Sequence, residues 1–141
     1  MNDGGLLMQT QDPILVVDDD ADLRELLARV LTKAGFIVDT VTNGEEAVRA
    51  LEAMSFSAVV TDILMPTKEG LETIIEIKRR WPKCKIVALS GGGRFASGDV
   101  LDLAQKFGAD AVLRKPVGAG DLVATLDRVL GAGAGRRLRT G

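Results

Sequence analysis

Residues 14–20 read Ile14-Leu15-Val16-Val17-Asp18-Asp19-Asp20. Four aliphatic residues in a row suit a short strand buried on both faces, the kind found inside parallel sheets. The run stops abruptly on three carboxylates. Beyond them Leu23, Leu26, Leu27, Val30 and Leu31 recur at i, i+3, i+4, i+7 and i+8, the spacing of one helix face. Gly35 stands where a helix C-terminus is commonly capped. The stretch is therefore a strand, an acidic turn and a helix. Asp20 is the residue placed to cap that helix, because a carboxylate accepts backbone N–H groups there and suits the dipole.

The same alternation continues along the chain. Phe36, Ile37, Val38 and Val41 read as a second strand. Asn43 with Glu46 three residues later reads as a capping box, opening a helix with Ala47, Leu51 and Met54 as its inner stripe. Ala58 to Thr61 is a third strand, broken by Met65-Pro66, and Leu71, Ile74, Ile75 and Lys78 mark a third helix stopped by Trp81-Pro82. Lys85 to Leu89 is a fourth strand, followed by the loop Ser90-Gly91-Gly92-Gly93. Val100, Leu103, Ala104 and Phe107 form a fourth helical stripe closed by Gly108; Ala111 to Leu113 is a fifth strand; Leu122, Leu126 and Val129 mark a last helix ending at Gly131. Five βα units with right-handed crossovers predict an α/β, doubly wound, five-stranded parallel sheet with helices on both faces. The domain is expected over residues 13–130, with a flexible leader at 1–12 and a flexible Gly/Arg tail at 131–141.

Composition narrows the chemistry. A chain of 141 residues suggests one domain, and 46% hydrophobic content supports a real core. The net charge of −2, from 18 basic and 20 acidic residues, offers no basic field for nucleic acid, so no direct nucleic-acid partner is expected. Cys84 is the only cysteine, which leaves no intramolecular disulfide or cysteine cage, and it reads as a buried structural thiol. There is no histidine, so histidine bases, histidine ligands and a Ser-His-Asp triad are excluded within the chain. No apolar run approaches the ~20 residues that span a bilayer, and Met1 to Asp12 lacks the pattern of a signal peptide. No membrane association is expected, and the cytoplasm is the expected compartment.

In open α/β sheets ligands bind beyond the carboxyl ends of the strands. Asp18, Asp19 and Asp20 follow the first strand, Asp62 the third, Ser90 the fourth and Lys115 the fifth. Each has an ordinary explanation alone. Acids favour a helix start, a serine before glycines is a turn residue, and a lone lysine is surface charge. Together the ordinary account needs four coincidences on one sheet edge. Clustered carboxylates repel unless a cation intervenes. Hard oxygen ligands without His or Cys suit Mg²⁺, which keeps several waters and pairs with phosphate oxygens. A carboxylate can attack phosphorus to give an aspartyl-phosphate, with Lys115 and a metal neutralising the transferring oxygens and the Ser90 hydroxyl bonding the new group.

The sequence resembles the receiver domain of two-component response regulators, the CheY-like family, from about Pro13 to Leu130. The likeness rests on Ile14-Leu15-Val16-Val17-Asp18-Asp19, on Val59-Val60-Thr61-Asp62-Ile63-Leu64-Met65-Pro66 with Gly70, on Ile86-Val87-Ala88-Leu89-Ser90, and on Gly108-Ala109-Asp110 leading to Lys115-Pro116. The resemblance implies the flavodoxin/CheY-like strand order 2-1-3-4-5. It implies Asp62 as phosphoacceptor, and Asp18 and Asp19 with Asp62 and the backbone carbonyl of Leu64 as Mg²⁺ ligands. It further implies Ser90 and Lys115 as the switch pair and a cis bond before Pro116. A sensor histidine kinase or phosphotransfer protein would supply the phosphoryl group, and an unknown downstream protein would read it, through surface around the fourth helix, fifth strand and fifth helix.

The sequence departs from the family pattern at three places. Val112 stands where the family usually carries Tyr or Phe, so a rotating aromatic coupled to Ser90 is not available. Glu69 replaces a common Asp before Gly70, and Gly91 to Gly93 follow the switch serine, where a mobile loop is expected. The leading expectation is a single-domain response regulator that switches rather than turns over a substrate. The alternatives are a Mg²⁺-dependent phosphohydrolase, weakened by Leu64 where such enzymes place a second acid, a receiver-like interaction module with weak or no phosphorylation, and a receiver fragment of a longer regulator. No output module follows Leu130, so direct transcriptional control is not expected unless the chain is such a fragment.

Overall fold

The computed structural model describes residues 12–63, 69–91 and 105–131. Leu64, Gly92, Gly93, most of the fourth helical stripe, residues 1–11 of the leader and residues 132–141 of the tail lie outside the described residues.

The strands are β1 (Ile14–Val17), β2 (Val38–Val41), β3 (Ala58–Asp62), β4 (Lys85–Ser90) and β5 (Ala111–Arg114). The helices are α1 (Ala21–Lys33), α2 (Gly44–Ala53), α3 (Glu69–Arg80) and, at the C-terminal end, α4 (Ala119–Leu130). The sheet is fully parallel in the order β2-β1-β3-β4-β5, as the resemblance implies. β1 and β3 are wholly buried, as is β4 beyond Lys85, whereas the edge strands β2 and β5 are partly exposed. Burial on both faces thus holds only for the three central strands, because an edge strand has a neighbour on one side alone.

Period-two alternation divides the core into two layers. Leu15, Val17, Val59, Ile86 and Ala88 face α2 and α3 and meet Ala47, Leu51, Ile74 and Ile77. Ile14, Val16, Val60, Val87 and Leu89 face α1 and α4 and meet Leu27, Leu31, Leu122 and Leu126. Helices thus cover both faces, and because all five strands run parallel their C-termini lie at one edge.

Local sequence sets the helix ends. Asp20 caps α1, its side chain accepting from the N–H groups of Asp22 and Leu23. Gly35 follows the helix at φ 103°, a left-handed conformation that glycine adopts without a Cβ penalty. Asn43 caps α2 by accepting from the Glu46 N–H at 2.8 Å. The reciprocal bond differs from a capping box. Glu46 Oε1 reaches one residue further back, to the N–H and the hydroxyl of Thr42 at 2.7 and 2.8 Å, because that threonine offers two donors at one place. Three expected inner residues face outward: Leu26 is 51% exposed, Met54 46% and Ile75 40%. Ile77, absent from the expected stripe, is fully buried instead of Ile75. The second strand begins at Val38, and Phe36 packs into the core ahead of it.

Candidate functional site

β1 ends at Val17, and the next residue, Asp18, is 0% exposed. A carboxylate there must be anchored, and most of Asp18 is. Its N–H donates to the Val41 carbonyl at 3.3 Å, its Oδ1 accepts from the Asp20 N–H at 2.9 Å, and its carbonyl accepts from Arg24 Nη1 at 2.8 Å. Its Oδ2 is buried without a hydrogen bond. The Lys115 ammonium lies 3.6 Å from that oxygen.

Asp62 is the last residue of β3 rather than the first after it, and it is buried at 5%. Its register partner is Leu89, one residue before Ser90. Gly70, at the start of α3, passes so close that an added Cβ would lie 2.8 Å from the Ile63 carbonyl oxygen and 3.1 Å from that of Asp62. Only glycine lets the helix start this near the strand end. Lys115 follows β5 by one residue and reaches across the sheet edge, its Nζ donating to Asp62 Oδ2 at 3.0 Å. The Lys115 N–H donates to the Ser90 carbonyl at 2.8 Å, and the Lys115–Pro116 peptide is cis. Ser90 closes β4, is fully buried, and its hydroxyl donates to the Gly91 carbonyl at 3.3 Å.

One carboxylate oxygen from each of Asp18, Asp19 and Asp62 lies within 4.8 Å of the other two. Asp18 and Asp62 are buried, while Asp19 is exposed. The cluster is suited to a divalent metal such as Mg²⁺. It presents hard oxygens only, from two sides, and one of them is a buried oxygen with no hydrogen bond. Burial raises the Asp18 pKa above its ordinary value more than the Asp20 N–H and the Lys115 ammonium pull it down, and the carboxylates of Asp62 and Asp19 add to the rise. Such a pocket favours a cation. Asp20 stands apart as the helix cap, and Leu64 falls outside the described residues. Val112 is half-buried against the α2–α3 layer of the core.

Sequence reasoning missed Arg24 and the Lys78–Asp110 pair. Lys78 Nζ donates to Asp110 Oδ2 at 2.9 Å and to the Cys84 carbonyl at 3.1 Å, and Asp110 Oδ2 also accepts from the Ile86 N–H at 2.8 Å. This fastens α3 to the approaches of β4 and β5. The single signal in the sequence was Asp110 within Gly108-Ala109-Asp110. Among the described residues no helix is long and apolar enough to cross a membrane.

Residues 14–127 match the response regulator receiver domain family. Similar curated proteins include a transcriptional regulatory protein CpxR homolog of Haemophilus influenzae, 37% identical over 119 residues, which cover 83% of this chain and 49% of that protein. The chemotaxis protein CheY of Thermotoga maritima is 36% identical over 117 residues, 82% of this chain and 95% of that one. The chain thus spans about half of the first relative and nearly all of the second. Among solved structures, a response regulator receiver domain protein from Clostridium thermocellum superposes with a TM-score of 0.76 at 31% identity, covering 84% of this chain and 94% of that one.

Proposed function

This chain belongs to the response regulator receiver domain family, and from that premise we propose that Asp62 is its phosphoacceptor. Membership makes it part of two-component signalling and a phosphorylation switch rather than an enzyme with a turnover substrate, so the phosphohydrolase alternative falls. It also implies an upstream phospho-donor of the two-component type.

In the proposed reaction an Asp62 carboxylate oxygen attacks the phosphorus of the donor. The new P–O bond forms as the donor's P–N bond breaks, and the leaving imidazole takes up a proton. Lys115 holds one Asp62 oxygen from 3.0 Å and supplies positive charge where the transferred oxygens gather negative charge. Asp18 and Asp19, with Asp62 and the Leu64 carbonyl, are the proposed ligands of Mg²⁺, which when bound neutralises phosphoryl oxygens. Ser90, fully buried at the end of the neighbouring strand, is proposed to meet the new phosphoryl group through its hydroxyl. The finer reading of the partners is a sensor histidine kinase or phosphotransfer protein upstream and a protein target downstream. No direct nucleic-acid contact is proposed for these residues, and the proposed compartment is the cytoplasm.

The observation that carries this reading is one lysine lying 3.0 Å from Asp62 and 3.6 Å from Asp18, beside three converging carboxylates. The test is incubation with acetyl phosphate and Mg²⁺ followed by intact mass measurement. A single phosphoryl adduct is expected in the native chain and none in Asp62→Ala. An adduct that persists in Asp62→Ala, or none in the native chain, overturns the assignment.

A further inference from the structure

Arg24 lies on the first turn of α1, six residues after Asp18, where sequence alone shows only a surface charge. Its side chain is half-buried, and its Nη1 turns back to donate to the Asp18 carbonyl at 2.8 Å. That carbonyl belongs to the peptide joining Asp18 to Asp19. The plane of this peptide sets where the Asp19 N–Cα bond leaves it, so the Asp19 side chain then turns only with its own φ and χ1. Asp19 itself is exposed. On its far side the Asp20 N–H is held by Asp18 Oδ1 at 2.9 Å. On its near side Arg24 supplies the restraint that comes from α1.

We infer that Arg24 is a positioning residue for the acidic cluster, holding the Asp18–Asp19 peptide so that both carboxylates converge with Asp62 on one cation. The inference rests on reading the cluster as a Mg²⁺ site. Arg24 contacts a ligand residue through its backbone carbonyl and touches no transferring atom. Groups that orient metal ligands in this way commonly change metal affinity by 10–100-fold when removed. A guanidinium beside carboxylates also carries an opposite influence. Its charge repels an incoming cation, so if charge alone mattered its loss would tighten Mg²⁺ binding.

The two influences differ in sign, which makes the experiment decisive. Mg²⁺ binding is measured by titration calorimetry on the full chain, as native protein, Arg24→Met and Arg24→Lys, with thermal melts in the absence of Mg²⁺ to register any loss of folding. Arg24→Met keeps the aliphatic stem and removes the donors. Its Mg²⁺ Kd is expected to rise about tenfold. Arg24→Lys, which keeps a charge and a donor nitrogen, is expected to recover part of the loss. Unchanged or tighter Mg²⁺ binding in Arg24→Met overturns the inference, as does a lower melting temperature with an unaltered Kd, the mark of a merely structural residue. A native chain that binds no Mg²⁺ removes the site itself, and the inference with it.

Discussion

Cys84 is 5% exposed and shares a groove with Phe56 and Trp81 at the end of the sheet where β4 begins. Burial pushes its thiol up to about 11, only partly offset by the Lys78 ammonium, while Asp110 adds to the rise. The thiolate is the reactive form. At pH 8 about one part in a thousand of the native thiol is ionised, from the distance between pH and pKa. Alkylation by iodoacetamide at pH 8 is therefore expected to be at least about 100-fold slower in native than in denatured protein. The same burial has a consequence for stability. A thiol whose pKa is raised on folding contributes stability that is intact below the unfolded value of 9.0 and is lost as pH climbs from there toward 11. Denaturation of native protein and Cys84→Ala in parallel should show the difference between them shrinking across that window. A difference that stays constant from pH 8 to 11 would refute it.

Helix α2 carries both its cap and its register in a few consecutive residues. The Asn43 side chain accepts from the Glu46 N–H at 2.8 Å, satisfying a donor that the first turn leaves without a partner. Asn43→Ala is expected to cost about 1 kcal/mol, read as a lower urea midpoint at an unchanged m-value. The bonds from the Thr42 N–H and hydroxyl hold Glu46 below its ordinary value of 4.5, with Arg49 and Arg24 adding weakly. That contribution is present above 4.5 and fades as pH falls through the lowered value. The cap was legible in the sequence because all its parts lie within five residues. The buried faces of the helices were less so. Leu26, Ile75 and Met54 satisfy the helical period yet face solvent, since the period defines an apolar stripe and only packing selects which part is covered. In α3 the covered part is Ile74 and Ile77. Arg24 was invisible for a different reason. Its partner is the carbonyl of Asp18, in the turn before its helix, and nothing in residue type announces which way a carbonyl turns. Lys115 stood out through its place after the fifth strand and the family motif, because a lone lysine signals nothing by itself.

At the scale of the whole molecule, the acidic cluster exists only while the sheet does. Asp18 leaves β1, Asp62 ends β3, and Lys115, 53 residues beyond Asp62, returns from β5 to meet both. An unfolded chain has no comparable concentration of carboxylates at one point, so a cation that binds the native cluster stabilises the fold by mass action. At a Mg²⁺ concentration 100-fold above Kd the gain is about 3 kcal/mol, which raises the melting temperature of a domain this size by roughly 10 °C. Lys115 provides part of the same neutralisation internally. Lys115→Met leaves two buried carboxylates, 0% and 5% exposed, without that ammonium. It is expected to melt below the native chain in the presence of EDTA and to gain more than the native chain does on adding Mg²⁺, because the ion then relieves a larger repulsion. Asp62→Asn removes one ligand charge and one source of that repulsion together. It should melt at or above the native chain in EDTA and gain least from Mg²⁺. Differential scanning calorimetry of the three proteins with and without Mg²⁺ checks the order of the gains. Equal gains in all three would mean that the ion acts elsewhere than at the cluster, and the coupling between fold and site would be lost.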